Sequence, residues 1–326
     1  MPHRPATGAA ELTDGAEPSD AARPLSLKGA TVMVGTCSWT DPTLTKQTDW
    51  YPKRSMSAAE RLRYYAGQFP LVEADSTYYR PLSAPLARSW AERAPEGFCF
   101  DIKAYGLLTG HPVDPVTLWP DLRELLAEDA AGKRRVYPHH LPEEALQEVW
   151  ARSLAALAPL AERGHLGALL LQYPPWWVPK RANRDELARL PERLGGVTAC
   201  IELRSPKWLA EGERDRTLGL LRDLGLALVV VDAPASSGLA TLVEATMDDL
   251  AVVRFHGRSD STWHAKNVTA AERFRYLYQE AELAQWVPRA RRLAALASKV
   301  HLLMNNCYQD YGVRNAAQLA AMLAAG

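Results

Sequence analysis

The chain has 326 residues, 47% of them hydrophobic and 23% charged, the balance of an ordinary globular protein. Lys plus Arg (38) offset Asp plus Glu (38), so bulk charge draws it neither to nucleic acid nor to an anionic membrane, and no apolar run nears the roughly 18 residues of a membrane span. Four cysteines (Cys37, Cys99, Cys200 and Cys307) stand far apart with no C-x-x-C pair, which argues against structural zinc or an iron–sulfur cluster and favours reduced thiols.

In chain order, residues 1–29 are rich in Ala, Pro, Asp and Glu and lack the apolar stretch of a signal peptide. They read as a disordered tail before a single domain over 30–326, in a cytoplasmic protein. "TVMVGT" (31–36) is the first predicted strand. "SAAERLRYYA" follows as a helix with Ser57 as N-cap and Glu60 three residues on, a capping box. "LVEAD" (71–75) and "FCFDIK" (98–103) are the next strands. Residues 104–165 then join strands three and four, far more than a crossover needs. This helical insertion carries a basic "KRR" and "HH" and is expected to form a flap over one side of the barrel mouth, or else a plain packed hairpin.

"LGALLLQ" (166–172), "VTACIELR" (197–204), "LALVVVD" (226–232), "LAVVRFHG" (250–257) and "KVHLLMN" (299–305) complete eight strands. Between them, "NRDELARL" predicts a helix capped by Asn183 with Glu186, "RTLGLLRDLG" one ending at Gly225, and "NAAQLAAML" one capped by Asn315. Near-continuous apolar strands alternating with helices predict an α/β fold, a TIM-type (β/α)8 barrel of parallel strands. The alternative, an open doubly wound sheet, lacks a G-x-G-x-x-G after its first strand.

Charges sit where buried strands should have none. Residues i and i+2 share a strand face, and Glu73/Asp75, Asp101/Lys103, Glu202/Arg204 and Arg254/His256 fall at strand ends with that spacing. Gln172, Asp232 and Asn305 or Asn306 end strands four, six and eight. All lie at C-terminal ends, where barrel enzymes hold their chemistry. Such charges must pair with each other, with a ligand, or with both. Glu73 and Glu202 are the acid/base candidates. His256 is a proton carrier or a fixed donor, and Lys103 a Schiff-base former, a counterion for Asp101, or an anion clamp.

Arg204 and Arg254 would hold negative charge. Arg258, in "HGR", and Asn306, in "NNCYQDYG", would be donors in a phosphate-binding corner after strands seven and eight. Trp39, Tyr78, Tyr79, Trp176, Trp177, Trp208 and Trp263 ring the same rim. Some would stack on a sugar or base, and others, Trp177 among them, would roof the core. Glu73, Glu202, Asp232 and His256 could ligate a cation, but Lys103, Arg204 and Arg254 on that face would repel it. No metal and no cofactor is therefore expected. Cys37 and Cys307 become neighbours once a barrel closes, with a core role ahead of a redox switch.

"GTCSW" (35–39), "LRYYAGQFPLVEADSTYYRP" (62–81), "FCFDIKAYGLLTGHP" (98–112), "LGALLLQYPPWW" (166–177), "IELRSPKW" (201–208), "VVVDAP" (229–234), "VRFHGR" (253–258) and "MNNCYQDYGVRNAAQL" (304–319) together resemble the YecE-like family, domain of unknown function 72. The likeness runs in order from about residue 30 to the C-terminus and implies a TIM-type barrel without implying a reaction. Asp75 and Tyr78 stand where the family pattern has Asn and Phe, so a carboxylate replaces an amide.

The resulting expectation is an enzyme using acid/base carboxylates on a small polar or anionic substrate, such as a sugar phosphate or nucleotide-like compound, with hydrolysis ahead of isomerisation. Asp75, Tyr79, Gln172, Trp176, Arg204, Asp232, Arg254, Arg258 and Asn306 would bind it. One rival is a metal-dependent phosphodiesterase or nuclease. The other is a non-catalytic module that binds nucleic acid or protein through Lys133, Arg134 and Arg135.

Overall fold

Short strands that are apolar on both faces must be covered on both, and a ring of them shielded by helices meets that demand. A computed structural model, describing residues 19–266 and 268–325, has this arrangement. After β1 (Leu25–Leu27) come β2 (Ala30–Thr36), β3 (Leu71–Ala74), β4 (Cys99–Lys103), β5 (Leu166–Tyr173), β6 (Ala199–Leu203), β7 (Ala227–Asp232), β8 (Ala251–Phe255) and β9 (Lys299–Met304). From β2 onward each strand pairs in parallel with the next, and β2 pairs with β9 to close a (β/α)8 barrel. Each of the eight expected strands is present, with bounds shifted by two residues at most.

Outward side chains such as Phe100, Leu171, Ile201 and Leu302 pack under the helices. Met33, Leu71, Cys200, Val229, Val252 and Leu303 form a separate cluster inside the ring. Gly35 lets two strands meet: a Cβ there would stand 1.9 Å from the Leu71 carbonyl oxygen. The buried Tyr65 hydroxyl ties the same junction, accepting from the Thr36 amide at 2.8 Å and donating to the Leu71 carbonyl at 3.0 Å.

The expected disordered tail needs correction at its end. Ser19 caps a short turn at Asp20–Ala22, and β1 runs antiparallel to β2 with Leu25 opposite Val32. Leu25 and Leu27 pack on the core, and the start of β2 has open hydrogen-bonding groups on that side because β3 reaches only Gly35 and Thr36. The rest of the predicted tail, residues 1–18, lies outside the described residues.

The Ser57/Glu60 capping box is present, and Gly225, at φ +62°, follows the helix Arg214–Asp223 as expected. Asn183 and Asn315 are not caps. Each lies inside its helix, Arg181–Ala188 or Tyr311–Ala324, and uses its amide to hold another segment: Asn183 donates to the Val178 carbonyl, and Asn315 brackets the Tyr278 backbone.

The long β4–β5 connection consists of short turns and one isolated bridge, Val113 to Val136, before the helices Glu143–Ala155 and Ala158–Glu162 lead into β5. Its first part lies at the strands' C-terminal ends, where His111 meets the rings of Tyr78 and Trp176 at 5.2 and 5.8 Å. Among the described residues no helix is long and apolar enough to cross a membrane.

Candidate functional site

Inward-facing positions of β3, β6 and β8 place Glu73, Glu202 and Arg254 at one level of the barrel, all buried. The Arg254 guanidinium lies between the two carboxylates, donating to Glu73 Oε1 at 2.8 Å and to Glu202 Oε2 at 2.5 Å. Glu202 Oε1 also accepts from Gln172 Nε2 (2.8 Å), Arg204 Nη1 (2.9 Å) and His256 Nε2 (3.1 Å). Asn305 Nδ2 donates to His256 Nδ1 at 2.7 Å, so one neutral tautomer satisfies both ring nitrogens. Burial holds His256 down at about 4 despite Glu202.

The two carboxylates are pushed apart. Burial drives Glu73 upward against the pull of Arg254 and Lys103. Burial acts on Glu202 in the same direction, but Arg254, His256 and Arg204 outweigh it and hold the carboxyl well below its usual range. Above them Asp75, half-buried, is raised to about 7 by burial in spite of Lys103. Lys103 is lowered by burial and then by Arg254, and its ammonium stands 4.6 Å from the Tyr78 ring centroid. Glu73, Gln172, Glu202, Arg204, Arg254 and His256 thus form one hydrogen-bonded cluster, with Asp75 and Lys103 close enough to feel its charge.

Other expected site residues turn elsewhere. Asp232 holds Arg258 through two hydrogen bonds of 2.8 and 2.6 Å and also accepts from the Tyr278 hydroxyl and Trp286 Nε1. The Arg258 fork, expected to meet a phosphate, is engaged by Asp232 and Glu282. Asn306, fully buried, donates to the Tyr276 carbonyl and to Asn315. Asp101 does not pair with Lys103. It accepts from His301 Nδ1 and the Ala168 amide, one layer lower in the barrel.

The aromatic rim divides. Trp39 packs against Trp90 and Phe100 in the core, while Trp177 stacks between Tyr173 and the buried Trp208 as a roof. Trp263 covers the Arg204 guanidinium at 4.6 Å. Tyr79 and Trp176 remain open, each 60% exposed. Two contributors went unforeseen: His111, lowered to about 4 by burial, then by Lys103 and Arg204, and Phe274, stacked 5.6 Å from His256. Both lie in irregular segments that carry no periodic signal.

Comparison with known proteins covers nearly the whole chain. The model of the family described as "Protein of unknown function DUF72" matches residues 33–326. The UPF0759 protein YunF of Bacillus subtilis (strain 168) is 25% identical over 298 residues, 90% of this chain and 94% of that protein. A DUF72 family structure from Thermotoga maritima MSB8 is 26% identical with a TM-score of 0.69, covering 90% of this chain and 98% of the other. One from Enterococcus faecalis V583 shares the fold at 23% identity and a TM-score of 0.71, covering 90% and 95%.

Proposed function

The chain belongs to the DUF72 family, and from its barrel mouth we propose that it is an enzyme performing general acid/base chemistry on a small anionic substrate, a sugar phosphate or nucleotide-like compound, with hydrolysis ahead of isomerisation. The observation that carries this reading is the half-buried Asp75 carboxyl, raised to about 7 at the rim of the cluster. A proton-transfer group is most useful near the working pH. Asp75 would move the proton, with Glu73 beneath it as a second raised carboxyl. Glu202, locked in its ionised form, acts as the anchor that aims Arg204, Arg254 and His256.

Charge supports an anionic substrate. Arg204, Arg254 and Lys103 face Glu73, Asp75 and Glu202, three cations against three carboxylates. Protonation of Asp75 leaves a positive excess that an anion can neutralise. The half-buried Lys103 and Arg204 lie nearest the opening, and the exposed faces of Tyr79 and Trp176 offer stacking surfaces for a sugar or base. A partly exposed Asp75 could also hold a water as base, which supports hydrolysis. The metal-dependent alternative loses its ligand set, because the Arg254 guanidinium fills the space between Glu73 and Glu202. Of the three cations behind the nucleic-acid alternative, Lys133 is paired with Asp129 and His140 while Arg134 and Arg135 are exposed, and that reading stays second.

The test is a panel of sugar phosphates and nucleotides followed by mass spectrometry, with a pH–rate profile for any compound converted. The proposal expects turnover with an inflection near pH 7, reduced about 100-fold in Asp75→Asn, and a raised KM in Arg204→Met. Absence of both turnover and binding across the panel, or an Asp75→Asn enzyme with the wild-type rate and profile, would refute it.

A further inference from the structure

Lys103 takes no part in the hydrogen bonds of the cluster beside it. It ends β4 on the inward face that carries Cys99 and Asp101, and it is half-buried at the mouth. Among the described residues its ammonium makes no hydrogen bond and no ion pair, and it rests on the face of Tyr78, 4.6 Å from the ring centroid. Glu73 and Asp75 on the β3 side, Glu202 from β6, Arg254 from β8 and His111 from the β4–β5 connection face it, all from a distance. Lysine is seldom taken this deep unless paired. Without a bonded carboxylate the ammonium is readily stripped of its proton, and burial followed by Arg254 lowers Lys103 in that direction. The neutral amine is a nucleophile for a carbonyl carbon.

Asp75 is held alongside. Glu73 lies opposite Asp101 in the β3–β4 register, so the chain beyond it brings Asp75 to the level of Lys103. The Thr77 hydroxyl joins the carbonyls of Ala74 and Lys103 at 2.7 and 2.5 Å and fixes the turn carrying Asp75 to the end of β4. We propose that Lys103 forms an imine with the carbonyl carbon of a small anionic ketone, a ketose phosphate or α-keto acid, with Asp75 as the acid that expels water. The ammonium first passes one proton to the Asp75 carboxylate. The free amine then attacks the carbonyl carbon, a C–N bond replaces the C=O π bond, and a proton moves from nitrogen to the oxygen. Asp75 returns its proton to that hydroxyl, the C–O bond breaks, and water leaves as the C=N bond forms. The iminium keeps the positive charge of the ammonium, so the charge balance of the mouth is unchanged. Arg204, half-buried at the same opening, remains to hold the anionic group. An iminium draws electrons from the adjacent carbon, which is the chemistry of isomerisation rather than of ester hydrolysis. The inference rests on the mouth being the ligand site and not on the bond it cleaves.

The test treats the full-length protein with sodium borohydride in the presence of dihydroxyacetone phosphate or, separately, pyruvate. Reduction converts such an imine to a stable secondary amine, read by intact mass and peptide mapping. The expected result with at least one of these ketones is about one equivalent of adduct, mapped to Lys103. It is lost in Lys103→Arg, retained in Lys299→Arg at the exposed start of β9, and formed about 100-fold more slowly in Asp75→Asn. Circular dichroism establishes that each variant is folded. If Lys103→Arg does not fold, the wild-type map decides: adduct at Lys103 supports the proposal, and adduct spread over other lysines overturns it. Absence of adduct with both ketones, or its persistence in folded Lys103→Arg, also overturns it, and an unchanged trapping rate in Asp75→Asn overturns the role given to Asp75. Adduct without turnover of any phosphate ester would uphold the imine and refute hydrolysis, and turnover without adduct would do the reverse.

Discussion

Replacing Asp75 by Asn removes a carboxyl whose protonated form the fold favours up to about pH 7. In the unfolded chain Asp75 ionises at its usual 3.8, and in the folded protein at about 7. Folded protein therefore binds more protons than unfolded protein between these values, and wild-type stability falls as pH rises from about 4 to about 7. Each pH unit is worth about 1.36 kcal/mol, so the full displacement has a ceiling of about 4 kcal/mol. Asp75 is only half-buried, and water on its open side screens part of that, leaving about 2 kcal/mol. Asp75→Asn should thus be more stable than wild type by about 2 kcal/mol at pH 8, with the gain shrinking to nothing near pH 4. Urea denaturation of both proteins at pH 4.5, 6 and 8, read as midpoints at equal m-value, measures this. A difference that stays constant with pH, or a variant less stable at pH 8, would refute the argument. A gain in stability coupled to a loss of turnover would identify Asp75 as a group whose cost is borne for function.

Two further substitutions probe the packing of charge. Arg254→Met leaves Glu73 and Glu202 facing each other with no cation between them and should cost about 3–5 kcal/mol in urea unfolding; partial recovery is expected when Glu73→Gln and Glu202→Gln are added, and a loss below 1 kcal/mol would contradict the bridging role. Arg258→Lys gives up the paired hydrogen bonds to Asp232 and should lower stability by about 1–2 kcal/mol, while leaving the binding of inorganic phosphate, followed by calorimetry, unchanged.

The barrel was readable because its strands are short apolar runs set off by turn residues, and that pattern survives without any knowledge of partners. β1 escaped notice because Leu-Ser-Leu at 25–27 is too brief to stand out from a polar tail. Asn183 and Asn315 misled for a chemical reason: a side-chain amide at the head of an apolar repeat suits an N-cap and a loop tether equally, and only the distance to Val178 or Tyr278 decides. The charged level at the mouth was legible from i, i+2 spacing, since Glu202/Arg204 and Arg254/His256 must each lie on one face. Which partner each charge meets was not: Arg258 reaches Asp232 of the neighbouring β7 from a loop whose course carries no pattern, and Asp101 and His301 meet across strands that only ring closure brings together.

The union of β2 with β3 at only Gly35 and Thr36 has a consequence for how the ring is sealed. Eight staves leave a slit along the lower flank of β2, where backbone amides and carbonyls would otherwise stand open for a strand from another molecule. Leu25–Leu27 sutures that slit from within the same chain, running against the grain of the other staves. A segment that reads as a loose leader is therefore the last stitch of the wall. Affinity tags or trimmed termini chosen near it would act on self-association before they touched the chemistry at the far rim.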